Sequence, residues 1–300
     1  MTSNGFKLEV RSTGDGSFSL FSPEFGEAFH SSRGALTEAR EKFVEPAGLE
    51  RLGRGSSLRV LDVCVGTGCN TAALIEACAS RGLELHWWGL ELDREPLAQA
   101  LASPAFRAQW QPGTLARLQE LCSSQGMLWG DARLAVQPLV EEQKGQFDLL
   151  LLDAFSPSRC PQLWSVEFLG ALGSLLKPKG RLLTYCSAAA VRQALRLAGL
   201  EVAAIEAPCG LQQHKQDWSG GTAASPSPLT PGPRLRSLTP MEMEHLGTNA
   251  AEPYRDPGFC LDRKTILQQR QQAQAKAMRE GNVEGTSAWR RRWGLAGNHQ

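Results

Sequence analysis

The chain has 300 residues, 42% of them hydrophobic, enough for one large α/β domain with additions, and its formal net charge of +1 excludes recruitment of nucleic acid by a global field. Charge is nonetheless uneven: residues 255–300 hold nine Lys/Arg against four acids, and the body before them is slightly acidic. Eight scattered cysteines without a CxxC pair, histidines without metal-ligand spacing, a polar amino terminus and no apolar run of about eighteen residues argue against a disulfide framework, a metal site, a secretion signal or a membrane span, so a reduced, cytoplasmic protein is expected.

Residues 1–50 read as an entry module that caps the larger domain. Two short alternating runs, Phe6–Val10 and Ser17–Phe21, flank Thr13-Gly14-Asp15-Gly16 and predict a hairpin. Ala35, Ala39 and Phe43, at four-residue steps, predict a helix from Gly34 to Val44. Residues 53–57 are a Gly/Arg/Ser linker.

From Leu58 the text becomes strand, turn, helix, repeated. Strands are expected at Leu58–Val63, Leu85–Leu90, Met127–Gly130, Phe147–Leu152, Arg181–Cys186 and Val202–Ile205, with helices at Thr71–Ser80 and Ala188–Ala198. Nearly continuous apolar strands alternating with helices imply a parallel sheet buried on both faces, so residues 51–225 are expected to form one α/β domain. Ligands of such sheets gather at the carboxyl ends of the strands, and Gly66, Glu91, Asp131 and Asp153 all fall there. Beyond Pro208, Ser219–Pro233 reads as a loop with a short closing strand near Gly221–Ser225. Met241–Leu246 reads as a short helix capped by Thr239, and Leu261–Arg279 as a helix-prone, weakly amphipathic run. Residues 226–300 are thus expected to be a loop-rich, basic extension.

The chemistry-bearing residues follow the same strand ends. Asp62-Val63-Cys64-Val65-Gly66-Thr67-Gly68 closes the first strand, and glycine there lets a ligand approach the backbone. The next helix offers free N–H groups that suit the carboxylate of an adenosylmethionine, and equally a phosphate. Thr71 stands where a dinucleotide fingerprint needs glycine, and no Gly-Lys-Ser/Thr follows, so that fingerprint is incomplete and a P-loop is excluded. Taken alone, the loop also fits a plain strand-to-helix turn. Glu91 suits ribose hydroxyls or simple solvation at a strand end. Asp131, before Ala132, suits an adenine amine or a turn. Asp153 opens Asp153-Ala154-Phe155-Ser156-Pro157, where a carboxylate beside an aromatic can position and deprotonate an amine, or cap a loop. Trp289-Arg290-Arg291-Arg292-Trp293 suits RNA contact by stacking and phosphate pairing, or tryptophans that tuck the terminus onto the body.

These blocks resemble the methyltransferase domain of the MnmC family of bacterial tRNA wobble-uridine modification proteins. The resemblance runs through Phe25-Gly26-Glu27, Gly34-Ala35-Leu36-Thr37-Glu38-Ala39, Asp62 to Asn70, Glu91-Leu92-Asp93, Gly130-Asp131-Ala132-Arg133, Leu152 to Pro157, Pro161-Gln162-Leu163-Trp164-Ser165 and Lys177-Pro178-Lys179-Gly180 through Thr184-Tyr185 to Ala198-Gly199, within about residues 7–225. It implies a class I methyltransferase fold, Rossmann-like, with a mostly parallel seven-stranded sheet, S-adenosyl-L-methionine as cofactor and tRNA as partner. By position it implies that Glu38, Asp62, Gly66, Gly68, Asn70, Glu91, Asp131 and Ala132 bind the cofactor. Asp153 would be catalytic, and Phe155, Ser156, Pro157 and Trp164 would line the uridine pocket. Two departures stand out. No dinucleotide fingerprint follows Ser225, so a stand-alone methyltransferase without the family's oxidase part is expected. After the sixth strand a basic family stretch is replaced by His214-Lys215-Gln216-Asp217-Trp218-Ser219-Gly220-Gly221-Thr222.

The leading expectation is methylation of the aminomethyl nitrogen of a modified tRNA wobble uridine. The alternatives are a transferase for a small polyamine-like amine, and a non-catalytic RNA-binding module on the same fold.

Overall fold

The computed structural model describes residues 7–206, 219–281 and 283–295. Phe6, Cys209, the departure at His214–Trp218 and His299 lie outside the described residues. The hairpin forms as β1 (Glu9–Ser12) and β2 (Phe18–Ser22), antiparallel across the Thr13–Gly16 turn, and β3 (Glu27–Ala28) pairs with β2. The Asp15 carboxylate holds that turn, accepting from Ser17 N at 3.0 Å and from Thr37 N at 3.1 Å. The expected helix starts as α1 (Ala35–Glu38) but continues from Ala39 to Val44 in π geometry. Such widened turns concentrate at functional sites.

The central domain alternates as its apolar runs suggest. In chain order it runs β4 (Ser57–Val63), α2 (Cys69–Arg81), β5 (Glu84–Glu91), α3 (Glu95–Ala102), α4 (Pro104–Arg107), α5 (Pro112–Ser123), β6 (Met127–Trp129) and α6 (Ala132–Glu142). It continues with β7 (Phe147–Leu152), α7 (Val166–Leu175), β8 (Leu176–Thr184), α8 (Ala189–Leu197), β9 (Glu201–Ile205), β10 (Gly221–Ser225) and β11 (Leu235–Arg236). The sheet order is β11-β9-β10-β8-β7-β4-β5-β6. Pairing is parallel from β6 through β8, and β10 runs antiparallel to both β8 and β9. The seven expected strands are joined by an eighth, the two-residue β11 at one edge.

Alternation along the central strands separates two cores. Leu58, Val60, Leu149 and Leu151 point to one face, and Leu61, Val63, Leu150 and Leu152 to the other. All eight are buried. Each fully buried Leu contributes roughly 1.5–3 kcal/mol, which is why the fully buried positions of these two strands are apolar. Asp62 is the exception, and it is fully buried too. Chain order reverses at β4, with β5 and β6 on one side and β7 and β8 on the other. That reversal opens a crevice at the carboxyl ends, where ligands of open α/β sheets bind.

Residues after β11 pack onto the body. Thr239 caps α9 (Pro240–His245) through a reciprocal bond with Glu242. Ile266 of α10 (Arg263–Arg279) and Trp289 of α11 (Thr286–Arg292) are fully buried. Trp289 stacks on His245 at 4.2 Å, so of the two readings of the Trp-Arg-Arg-Arg-Trp run the structure shows its first tryptophan tucked in. Among the described residues no helix is long and apolar enough to cross a membrane.

Candidate active site

The first strand tip is built from backbone that only a few residues tolerate. Cys64 leaves β4 at φ 66°, and Gly66 and Gly68 follow at φ 57° and 80°. Left-handed backbone on a non-glycine residue is strained and clusters at functional sites. The turn aims the first N–H groups of α2 into the crevice. Asp62 lies beneath it. Its Oδ2 accepts from the Thr71 hydroxyl, which in turn accepts from Trp87 Nε1 at 3.1 Å. Burial pushes the Asp62 carboxyl up to about 7. Its Oδ1 is buried without a hydrogen-bond partner among the described residues, as is the Thr67 hydroxyl. A buried orphan acceptor is costly unless a ligand supplies a donor. An ammonium over Asp62 and a carboxylate at the glycine turn are what the methionyl end of S-adenosyl-L-methionine presents, so these residues fit that cofactor.

Glu91 ends β5 beside this turn. Its Oε2 accepts from Gly66 N at 2.8 Å, and its Oε1 from Leu92 N at 2.7 Å and Asp93 N at 3.2 Å. Burial nonetheless raises its carboxyl above the ordinary value, against the pull of those three donors. The glycine turn and the acidic strand end are thus one hydrogen-bonded unit. Asp131 caps α6, accepting from Arg133 N at 2.9 Å, and Ala132 begins the helix, buried. Arg133 bridges Asp131 to the fully buried Asp256, each at 2.7 Å. Burial opposes ionisation of Asp131, but the Arg133 guanidinium outweighs it and holds the carboxyl below its ordinary value.

Asp153 follows β7, and its N–H donates to Val63 O at 3.1 Å, which sets it beside the first strand tip. Asn70, in the first turn of α2, donates its amide to Asp153 Oδ2 at 2.7 Å. Asp153 keeps some exposed surface, yet burial and then the nearby Glu38 charge push its carboxyl up to about 7. Glu38 accepts from Lys42 at 2.7 Å and Ser31 N at 2.9 Å. Burial pushes Glu38 upward, but the Lys42 ammonium prevails and its carboxyl sits below the ordinary value.

Phe155 stacks on Phe25 at 4.5 Å and meets Phe29 edge-on at 5.1 Å. Ser156 donates both its N–H and its hydroxyl to Glu27 Oε2, at 3.0 and 2.9 Å. Pro157 continues the loop, partly buried. Trp164 is fully enclosed and donates Nε1 to Phe155 O at 2.8 Å, so any effect it has on a pocket runs through the loop it holds. Tyr185 donates to Ala154 O at 3.0 Å, gripping the loop from β8.

The structure therefore brings Glu38, Asp62, Gly66, Gly68, Asn70, Glu91, Asp153, Phe155 and Ser156 together at one end of the sheet, with Asp131 and Ala132 on the neighbouring strand tip. Sequence reasoning gives no role to Phe25, Glu27, Phe29, Lys42 or Tyr185. Phe25-Gly26-Glu27 and Tyr185 appear in the family blocks, but nothing in their local spacing marks them. Glu27 meets Ser156 from 129 residues away.

Comparison with known proteins agrees with this geometry. Residues 110–212 match the model of a family described as S-adenosyl-L-methionine-dependent methyltransferases. The chain is 32% identical over 207 residues to the tRNA 5-methylaminomethyl-2-thiouridine biosynthesis bifunctional protein MnmC of Paracidovorax citrulli, covering 61% of this chain and 31% of that one. An uncharacterized protein of Methanocaldococcus jannaschii is 27% identical over 88% of this chain and 72% of its own. The crystal structure of MnmC2 from Aquifex aeolicus superposes with a TM-score of 0.75 at 28% identity, covering 91% of this chain and 87% of that one. The chain spans about a third of the length of the bifunctional relatives it matches. With a mostly parallel sheet, a crevice suited to the methionyl group and these likenesses, the chain carries a domain similar to the MnmC methyltransferase domain and to S-adenosyl-L-methionine-dependent methyltransferases.

Proposed function

We propose that the enzyme methylates the aminomethyl nitrogen of a modified wobble uridine in tRNA, with Asp153 as the catalytic carboxylate. The observation that carries this is Asp153 itself, held by Asn70 at 2.7 Å beside the glycine turn, with an aromatic two residues on and a carboxyl pushed up to about 7. The names of the relatives, which concern 5-methylaminomethyl-2-thiouridine in tRNA, support the same acceptor.

S-adenosyl-L-methionine, when bound, supplies a methyl carbon on a sulfonium sulfur. Asp62, Gly66, Gly68 and Asn70 hold its methionyl end, Glu91 its ribose, Asp131 and Ala132 its adenine, and Glu38 closes over it. Asp153 takes a proton from the acceptor ammonium, leaving nitrogen the lone pair that an in-line displacement needs within roughly 3–3.5 Å of the methyl carbon. A carboxyl poised near neutral pH is suited to that transfer. Asn70 keeps the unprotonated carboxylate facing the crevice. Phe155 offers a ring on which a splayed-out base stacks, as single-stranded RNA recognition requires. Ser156, Pro157 and, through the loop, Trp164 fix that ring.

The test is incubation of purified protein with methyl-labelled cofactor and tRNA bearing aminomethyluridine, followed by nucleoside mass spectrometry. One methyl mass on the aminomethyl nucleoside is expected. Folded, cofactor-binding protein that leaves that nucleoside unlabelled would reject the proposal.

A further inference from the structure

The loop that carries Asp153 ends among cations that form no ion pair among the described residues. Arg159 lies on the surface, its guanidinium 3.6–3.7 Å from where a side chain on Gly26 would begin, next to the Glu27 that holds Ser156. Arg263, the first residue of α10, is exposed and donates Nε to Ser158 O at 3.1 Å. Lys264 is exposed beside it. Ser158 Oγ in turn lies 3.3 Å from Ser156 Oγ. Among the described residues none of these three cations has a carboxylate within 4.0 Å. Of the acids close in sequence, Glu27 accepts from Ser156, and Asp262 accepts from Thr265 N at 2.7 Å, a bond that together with the Lys264 charge holds its carboxyl below the ordinary value.

Other arginines of the extension, and one that the extension's Asp256 holds, are ion-paired. Arg255 pairs with Glu167 and Arg133 with Asp256. Arg292 pairs with Glu244 and Glu284, and Trp293 donates to Glu244 as well. With the turn before it, α11 reaches α9, Asn249, Met278 and Glu284 rather than the strand tips. Trp289, Arg292 and Trp293 of the basic stretch are therefore part of the packing of the extension, and Arg290 and Arg291, exposed and in no ion pair among the described residues, share that helix away from the Asp153 loop. The unpaired cations beside the acceptor carboxylate are different ones.

We infer that Arg159, Arg263 and Lys264 form the surface that holds RNA phosphates flanking the methylated residue, and that Arg290 and Arg291 do not. The inference rests on the proposed RNA acceptor. Its physical basis is electrostatic. Three positive charges without a contacting carboxylate, beside a site whose acceptor is itself a cation, disfavour a free small amine. They become favourable when the amine arrives on a polyanion. Phosphate contacts of this kind fix register rather than read sequence. The C-terminal extension thus contributes to the RNA surface through the start of α10, which is anchored on the catalytic loop.

The experiment compares wild type, Arg159→Ala, the pair Arg263→Ala with Lys264→Ala, the triple variant, and a control with Arg290→Ala and Arg291→Ala. Methylation of aminomethylated tRNA is measured across a salt series, with cofactor affinity as the check on folding. The triple variant should raise KM for tRNA by roughly ten-fold or more, and lower the slope of log affinity against log salt by about two, since each single-strand phosphate contact contributes roughly 0.7. kcat at saturating tRNA, cofactor affinity and the control variant should stay within about two-fold. Arg263→Lys should restore most of the loss due to charge. Unchanged KM and salt slope in the triple variant, with wild type active on tRNA, would overturn this inference alone. Wild type inactive on tRNA would overturn the proposed acceptor and this inference with it.

Discussion

A methyl group added at Gly66 would lie 3.2 Å from the Phe29 ring, on backbone at φ 57° that side chains resist. That residue also gives its N–H to Glu91, so three demands meet at one position. Gly66→Ala is expected to weaken S-adenosyl-L-methionine binding by roughly ten-fold or more, because αL backbone costs about 1 kcal/mol and the added carbon crowds the crevice. Isothermal titration would register it, and an unchanged affinity would remove the turn from the cofactor site. Glu27 acts on the other side of the crevice. Loss of its paired bonds to Ser156, each worth roughly 1.5–3 kcal/mol for a charged acceptor, frees the loop that carries Asp153. Glu27→Ala should therefore lower kcat while cofactor affinity holds, and Glu27→Gln should recover part of the loss. A variant that shifts cofactor affinity alone would mean that Glu27 does not position the loop.

Elements are legible wherever apolar runs are long. β4, β5, β7 and β9 fall within one residue of the runs at Leu58–Val63, Leu85–Leu90, Phe147–Leu152 and Val202–Ile205, because a strand buried on both faces has no choice of residue type. β8 begins at Leu176, earlier than Arg181, since Lys177-Pro178-Lys179-Gly180 hides a strand start behind charge and proline, and the ladder to β7 shifts register there. The π turn at Ala39–Val44 reads as plain helix, for apolar spacing does not distinguish the two. The link between α8 and α9 is invisible for a different reason. Arg192 and Glu242, with side chains 2% and 0% exposed, form an ion pair across fifty residues of sequence. Breaking a buried pair leaves a charge without a partner. Glu242→Ala is expected to cost about 3–5 kcal/mol in denaturant unfolding. A cost under about 1 kcal/mol, the range of exposed pairs, would show that the pair is not holding these helices together.

For the whole molecule, the strand tips and their acids can be placed from sequence, because ligand sites of parallel sheets sit at predictable ends. The hairpin module and the extension cannot, since long-range contacts leave no local period. They bracket the crevice from two sides. Phe25, Glu27 and Phe29 reach the Asp153–Arg159 loop from the hairpin, and Arg263 reaches it from α10. The extension is part of the stable body, with Ile266 and Trp289 fully buried. Trp289→Ala should cost roughly 3–5 kcal/mol of stability by emptying that site. A loss of less than about 0.5 kcal/mol, the size of an ordinary surface change, would detach α11 from the fold.

The central claim is that Asp153 removes the proton from the acceptor nitrogen. Its carboxyl is pushed up to about 7, so below that pH it is protonated and cannot act as a base, and above it the base form prevails. Single-turnover methylation of aminomethylated tRNA, followed from acid to alkaline pH for wild type and Asp153→Asn, tests this directly. The wild-type rate is expected to climb through about pH 7 and level off, and the variant to be slower by roughly 10²–10⁴-fold with no inflection there. A variant that keeps both the wild-type rate and its inflection would contradict the account.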